Sequence, residues 1–368
     1  MKKILFLIHD LSYGGAEKVL VNLANNLDKT KYDVTIQTLF DVGVNKKYLL
    51  NCVNYIGGWK KMFPGNSVLM KIFPPAILCK LIIRDNYDIV ISFLEGPCSR
   101  IVSAYKGKKI AWIHIEHKSI ERLSKPFRNQ FEMAKCYNSF DKIICVAETV
   151  KDDFCSLFKV TTACEILYNV NEIECIIEKS KEKQAIIKKS ENLFNIVSVG
   201  RLSFEHKGYD RLVRIHKRIL DKGIQNNLYI IGEGRDREKL EELISSLNVE
   251  KTCCLLGFNE NPYKFIVNAD LFVCSSYHEG FSTAVTEALA LGVPVVSTEV
   301  SGAKELLGYN NEFGIVTNNN ENALYEGMCK ILTEDGLLTH YKKQAEIRGK
   351  EFSTEKTTKA VEELLESL

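Results

Sequence analysis

Residues 277–294, YHEGFSTAVTEALALGVP, are the stretch on which the fold turns. The apolar run at 269–274, followed by Ser275 and Ser276, reads as a buried strand that Glu279-Gly280 closes. From Thr283 to Leu291 small and apolar residues recur at helical spacing, and Gly292 with Pro294 stops the helix. Glu279 therefore falls at the carboxyl end of a strand. Glu287 lies about two turns into the helix, since an α-helix repeats every ~3.6 residues. In an open α/β sheet ligands bind at that edge. The free backbone N–H groups of Gly280, Phe281, Ser282 and Thr283 at the helix start suit a phosphate. Alone, two such glutamates read equally well as solvated surface residues; a second motif decides between the readings.

That motif is residues 196–212, IVSVGRLSFEHKGYDRL. A β-branched run ends in Gly200, a turn carries Arg201, and Lys207-Gly208 precede a helical pattern. Two cations six positions apart, on a glycine-bounded loop at a strand end, make a clamp for a diphosphate, with Arg as a fork of donors and Lys as a point charge.

Five elements now stand in order along the chain. They are Gly14-Gly15-Ala16-Glu17 after the first strand; Trp112-Ile113-His114; Val199-Gly200-Arg201-Leu202 with Lys207-Gly208; Gly232-Glu233-Gly234; and Glu279 with Glu287 and Gly292-Val293-Pro294. Asn261-Pro262-Tyr263 also falls in sequence. The chain resembles a retaining GT-B glycosyltransferase of family 4, in the branch found in bacterial capsule and exopolysaccharide gene clusters. The resemblance implies an α/β protein with two Rossmann-like domains facing across a cleft. It implies an acceptor-binding domain at residues 1–169, a nucleotide-sugar-binding domain at 170–350, and a C-terminal helix at 351–368 that packs back on the first domain. It also implies that His114 contacts the donor sugar, that Gly14 and Gly15 lie beside donor and acceptor, and that the nucleotide base sits near Arg235 and the Gly257-Phe258 turn. By the same likeness Glu279 holds sugar hydroxyls and Glu287 the ribose. One departure is Phe281-Ser282-Thr283, where the family commonly has FG-L, which leaves the choice of donor open.

Length and composition fit this picture. At 368 residues the chain suits two domains rather than one core, and 45% hydrophobic with 26% charged residues is the balance of a globular protein. Twelve cysteines without C-x2-C pairs read as reduced core residues of a cytoplasmic protein, and zinc is not expected. Met1-Lys2-Lys3 and the apolar run after it resemble a signal peptide, but His9 and Asp10 end the run too soon, so it reads as a first strand. No segment approaches the ~20 apolar residues that cross a bilayer.

The net charge of +2 conceals an asymmetry. Residues 1–168 carry 24 Lys and Arg against 16 Asp and Glu, a balance of +8; residues 169–368 carry 25 against 31, a balance of −6. Lys60, Lys61, Lys71, Lys80, Arg84, Lys118 and Arg128 belong to the basic set, and Trp59, Met62, Phe63, Ile72 and Phe73 interleave with part of it. Such a surface suits anionic lipid headgroups and lipid-linked phosphates, so a peripheral contact with the inner membrane face is expected. Nucleic acid is not, because no nucleic-acid motif accompanies the charge.

Taken in order, strands are expected at 3–8, 33–39, 89–93, 110–114 and 142–146, then at 195–199, 228–231, 253–256, 271–274 and 295–296. Helical patterns between them indicate βαβ units and parallel sheets. The turn at Ser12-Tyr13-Gly14-Gly15 is not GxGxxG, which gives no support to a nicotinamide site. A charged helix is expected at 172–189. A metal site from His114, Glu116 and His117 is not, since positions i and i+3 of a strand face opposite ways.

The chemistry that follows is transfer of a hexose or N-acetylhexosamine from a nucleotide-sugar, UDP-linked by resemblance, to a lipid-linked oligosaccharide or other glycan. Arg201, Lys207 and the helix start neutralise the departing diphosphate without a metal or a resident cofactor. A glycosidase-like double displacement needs carboxylates about 5 Å apart, whereas eight helical positions at ~1.5 Å each give roughly 10 Å or more. Two other readings compete: an epimerase of the same fold acting at C2 of a UDP-sugar, and a silent subunit that stabilises another transferase.

Overall fold

A computed structural model describes residues 1–12, 14–62, 70–117, 119–182, 187 and 193–368. Tyr13 of the first glycine turn, Phe63 and Lys118 of the basic-aromatic set, and most of the expected charged helix beyond residue 182 lie outside the described residues. The chain forms two compact units, Met1–Asn171 with Thr354–Leu368, and Glu172–Ser353.

The first unit is built on seven parallel strands: β1 (Lys2–Ile8), β2 (Tyr32–Thr38), β3 (Asn54–Ile56), β4 (Ile89–Ser92), β5 (Lys108–Ile113), β6 (Lys142–Cys145) and β7 (Cys164–Ile166). Their order across the sheet is β3-β2-β1-β4-β5-β6-β7. Inside the sheet lies β1, where Leu5 pairs with Thr35 on one side and Val90 on the other. Residues Ile4 to Ile8 have no exposed surface, which is why this strand reads as an unbroken apolar run rather than an alternation.

The second unit repeats the plan with six strands: β8 (Phe194–Val199), β9 (Asn226–Ile231), β10 (Cys253–Leu255), β11 (Leu271–Cys274), β12 (Val295–Thr298) and β13 (Ile315–Thr317), in the order β10-β9-β8-β11-β12-β13. Its core joins Ile196, Leu228, Leu271 and Val296 of the sheet to Leu212, Val213 and Ile219 of the helix Tyr209–Asp221. In each sheet the strand order reverses beside the first strand. The crevices at the carboxyl ends of β1 and β4, and of β8 and β11, are therefore the places where such sheets take ligands.

Both units are α/β with parallel sheets, as the strand-helix alternation predicts. Three strands go beyond that expectation, β3, β7 and β13. Each is three residues long and lies at a sheet edge, where one side is unpaired and the apolar run that marks a central strand is not needed. The helix expected at 172–189 is Ile173–Ser180. The chain leaves the first unit after Asn171 and rejoins it at Thr354, two and three residues beyond the expected boundaries. The last helix lies along the first unit. Thr354 Oγ1 donates to Asn171 O at 2.9 Å, Asp28 N to Glu362 Oε1 at 2.8 Å, and Lys2 Nζ to Leu365 O at 2.8 Å.

The twelve cysteines are all free, and the seven that are buried pack as small apolar residues. Among the described residues no helix is long and apolar enough to cross a membrane, and no group of three His, Cys, Asp or Glu side chains is placed to hold a metal ion.

Candidate active site

In the second unit the loop after β8 and the loop after β11 meet. Lys207 Nζ lies 2.6 Å from Glu279 Oε1, and the same oxygen accepts from Ser276 Oγ at 2.6 Å. Burial works against the lysine's charge, but the Glu279 carboxylate outweighs it and holds Lys207 above the ordinary lysine range. Together with Ser198, Tyr209, Ser276 and Ser282, the pair lines a small cavity. Ser282 in that lining begins the helix Thr283–Ala290 and caps it by accepting from Val285 N.

Two features give this loop its shape. Gly208 has φ +61°, and a Cβ there would stand 2.3 Å from Ser275 O. The short helix Phe204–Lys207 can therefore turn into the helix Tyr209–Asp221 against β11 only with glycine at the joint. Arg211, one turn further on, is 1% exposed and donates from Nε and Nη2 to Ser275 O and from Nη2 to Ser276 O. Its guanidinium also lies 3.8 Å from the centre of the Tyr277 ring. This arginine fixes the segment between β11 and Glu279, and it is not among the residues singled out from sequence. No local spacing marks it, because Gly208 at φ +61° breaks the helix between Lys207 and Arg211.

The remaining predicted residues are distributed as follows. Arg201 is exposed, outside the cavity lining, and makes no ion pair or side-chain hydrogen bond among the described residues. Glu287 is on the helix Thr283–Ala290 and 3% exposed. Phe281 is buried with its ring 5.9 Å from that of Phe352. Gly200, Gly232, Gly234 and Gly257 gather at one sheet edge: Gly232 N donates to Gly257 O at 2.9 Å and Leu202 N to Glu233 O at 3.0 Å. At Gly232, φ +148°, an added Cβ would fall 2.0 Å from Gly200 O, so backbone there approaches backbone as only glycine allows. Phe258 beside them is 48% exposed. Arg235, by contrast, is engaged with Glu205 at 2.7 Å.

In the first unit Gly14 caps the helix Gly15–Asn26, and Glu17 folds back over it. His114 ends β5. Its ring lies 4.7 Å from Phe93 and stacks with Trp112 at 6.2 Å, and burial pushes the imidazole down to about 4 against the pull of Glu95. The backbone N–H of His114 donates to Glu95 Oε2 at 3.1 Å, while His117 Nε2 stands 3.4 Å from Glu95 Oε1. Glu95 belongs to none of the sequence motifs, and the motif at residues 112–114 points to His114 rather than His117.

On the same unit, two arginines fasten the basic-aromatic segment. Arg100, 1% exposed, pairs with Glu132 Oε1 at 2.8 Å and donates to Met70 O and Lys71 O; Arg128 donates to Lys71 O and Ile72 O. Outward of this anchor stand Trp59, Met62, Ile72, Phe73, Ile77 and Leu81, each at least 40% exposed.

Comparison with known proteins gives the family and the fold. Residues 179–348 match the family profile described as glycosyl transferases group 1, and residues 13–170 match glycosyltransferase family 4. The chain is 30% identical over 370 residues, 96% of each chain, to a Campylobacter jejuni enzyme named as a 4-alpha-N-acetylgalactosaminyltransferase acting on N-acetylgalactosamine-N,N'-diacetylbacillosaminyl-diphospho-undecaprenol. It is 28% identical to a second C. jejuni enzyme, an alpha-1,4-N-acetyl-D-galactosaminyltransferase acting on a longer undecaprenol-linked chain, over 96% of this chain and 95% of the relative. The fold matches the crystal structure of Anabaena HepE in complex with UDP and glucose, with TM-score 0.79, 19% identity and full coverage of both chains. It also matches WaaG, a glycosyltransferase of lipopolysaccharide biosynthesis, with TM-score 0.72, 16% identity and 97% and 98% coverage. The solved neighbours are GT-B proteins, and the fold is GT-B.

Proposed function

The chain belongs to the group 1 glycosyltransferases, and from that premise we propose that it moves a hexose or N-acetylhexosamine from a UDP-sugar to a lipid-linked oligosaccharide, with retention at the anomeric carbon, in the assembly of a cell-surface polysaccharide. That it is a glycosyltransferase follows from the family. The donor, the acceptor class and the stereochemistry are the proposal, and its support is the contact of Lys207 with Glu279 in a cavity that the helix start also lines. A cation and a carboxylate side by side match the two ends of a nucleotide-sugar at its reacting bond, where the diphosphate is anionic and the sugar bears hydroxyls. The names of the two C. jejuni relatives, both acting on undecaprenol-linked saccharides, support the acceptor class. UDP bound to HepE supports the donor.

In this mechanism the bond from the anomeric carbon to the diphosphate oxygen breaks as charge builds on the phosphate. Lys207, Arg201 and the N–H groups at the start of the helix Thr283–Ala290 neutralise it. The acceptor oxygen bonds to the same face of the carbon, and its proton passes to the departing phosphate oxygen. Glu279 holds sugar hydroxyls, and every step is carried by protein groups without a resident cofactor. His114, kept neutral, donates to or accepts from a donor hydroxyl. Gly232, Gly234, Gly257 and Phe258 border the base, and Glu287 the ribose.

Calorimetry with UDP tests the donor side. Wild-type protein should bind it, and Lys207→Met should weaken binding roughly 10- to 100-fold, because a hydrogen bond to a charged group contributes about 1.5–3 kcal/mol. Equal affinity in the two proteins would remove Lys207 from the diphosphate site. Product analysis addresses the competing readings: an isomerised nucleotide-sugar formed without acceptor marks an epimerase, and no turnover with any donor-acceptor pair marks a silent subunit.

The acceptor's lipid must be met at a membrane surface, and the anchored apolar-basic segment supplies one. The triple charge reversal Lys60→Glu, Lys61→Glu, Lys71→Glu should lower binding to phosphatidylserine vesicles roughly a hundredfold or more, at about 1 kcal/mol per basic residue near the surface. Unchanged vesicle binding would leave the segment without this role.

A further inference from the structure

The first unit carries a cluster of which the donor chemistry uses only His114. Glu95-Gly96 follows the run of β4 as Glu279-Gly280 follows that of β11. Both carboxylates thus stand where the strand order of their own sheet reverses, beside β1 and beside β8. In the second unit that carboxylate is met by a lysine. In the first it is met by two histidines.

The polar atoms around Glu95 are buried and unfinished. Glu95 Oε2 accepts from His114 N, but Glu95 Oε1, His114 Nε2 and both ring nitrogens of His117 have no hydrogen-bond partner. His117 Nε2 and Glu95 Oε1 stand 3.4 Å apart without hydrogen-bond geometry, and each side chain keeps 9% exposure. Polar groups left in this state inside a fold call for a partner. A metal does not fit, since among the described residues no three such side chains are placed to hold one. A hydroxyl does. An oxygen seated against two atoms 3.4 Å apart can donate to the carboxylate and accept from the ring N–H.

We propose that Glu95 and His117, with His114 beside them, bind a hydroxyl of the acceptor saccharide in the first unit. The class of ligand rests on the glycosyltransferase reading; the site itself rests on the buried, unpartnered atoms. Glu95 and His117 are positioning residues here: they hold the acceptor's ring and take no part in bond making.

The test uses the full chain labelled with 15N at its seven histidines, with methyl N-acetyl-α-galactosaminide as probe and UDP as the second ligand. On adding the glycoside, imidazole resonances of His114 and His117, assigned by substitution, should shift. Glu95→Gln should weaken that titration about tenfold, as expected when a charged acceptor becomes neutral, and leave UDP affinity unchanged. Resonances of His114 and His117 that stay fixed in the wild type would overturn the proposal, as would equal glycoside affinity in a folded Glu95→Gln. The wild-type titration decides even where the variant fails to fold. Binding of UDP without any histidine shift would keep the donor reading and remove this site; histidine shifts without UDP binding would do the reverse.

Discussion

Glu279→Ala should lower the rate of sugar transfer by roughly 10²- to 10³-fold, the loss seen when one preorganised polar group of a reacting centre is removed, while UDP binds as well as before or better. The asymmetry comes from Lys207. Its ammonium is held 2.6 Å from Glu279, so a diphosphate must compete with that carboxylate. Removing the carboxylate frees the cation for the diphosphate and deprives the sugar of its hydroxyl partner. Glu279→Gln, which can still accept from Ser276 Oγ but no longer balances Lys207, should fall between wild type and alanine in rate. The measurement is kcat with a saturating donor alongside calorimetry with UDP. Full transfer activity in the alanine variant would mean that Glu279 is not at the reacting sugar. A parallel loss of UDP affinity would mean that it holds the nucleotide instead.

Arg211→Ala should destabilise the second unit by about 3 kcal/mol, the upper end of what hydrogen bonds to a charged group contribute. Its melting temperature should drop by roughly 6–12 °C for a unit of this size. The guanidinium is buried and donates to Ser275 O and Ser276 O, the second of which also accepts from Thr298 Oγ1 at 2.6 Å. Its centre also lies 3.8 Å from that of the Tyr277 ring. Burial depresses its basicity without removing the charge. Arg211→Lys should recover only part of the loss, since one ammonium cannot serve both carbonyls in the fork geometry of arginine. Transfer should fall in both variants in proportion to the disorder of the segment carrying Glu279. A thermal scan showing an unaltered second unit in Arg211→Ala would show that the segment is held by β11 and the helix Thr283–Ala290 alone.

The central strands of both sheets, and the two loops that meet at Lys207 and Glu279, are legible in the sequence because burial on both faces writes itself as an apolar run ended by glycine. Residues 3–8 and 271–274 are such runs, and Gly200 and Gly280 such ends. The edge strands β3, β7 and β13 are not, since a three-residue strand with one unpaired side leaves no pattern to read. Nor can a spacing of 72 along the chain announce that Lys207 and Glu279 touch; that depends on β8 and β11 being sheet neighbours although two strands separate them in sequence.

The sequence by itself determined the class of fold, the family and the loops that bear chemistry, for these follow from local pattern: apolar periodicity, glycine where backbone crowds backbone, and charge at a strand end. Only the tertiary structure decided which of those charges meet. It joined Lys207 to Glu279, left Arg201 in solvent, engaged Arg235 with Glu205, and brought Glu95 and His117 together in the first unit. The reason is that a parallel sheet orders its strands by crossover and not by sequence, so side chains at neighbouring strand ends come from distant segments. The strength of their pairing is then set by burial, which no single segment possesses alone.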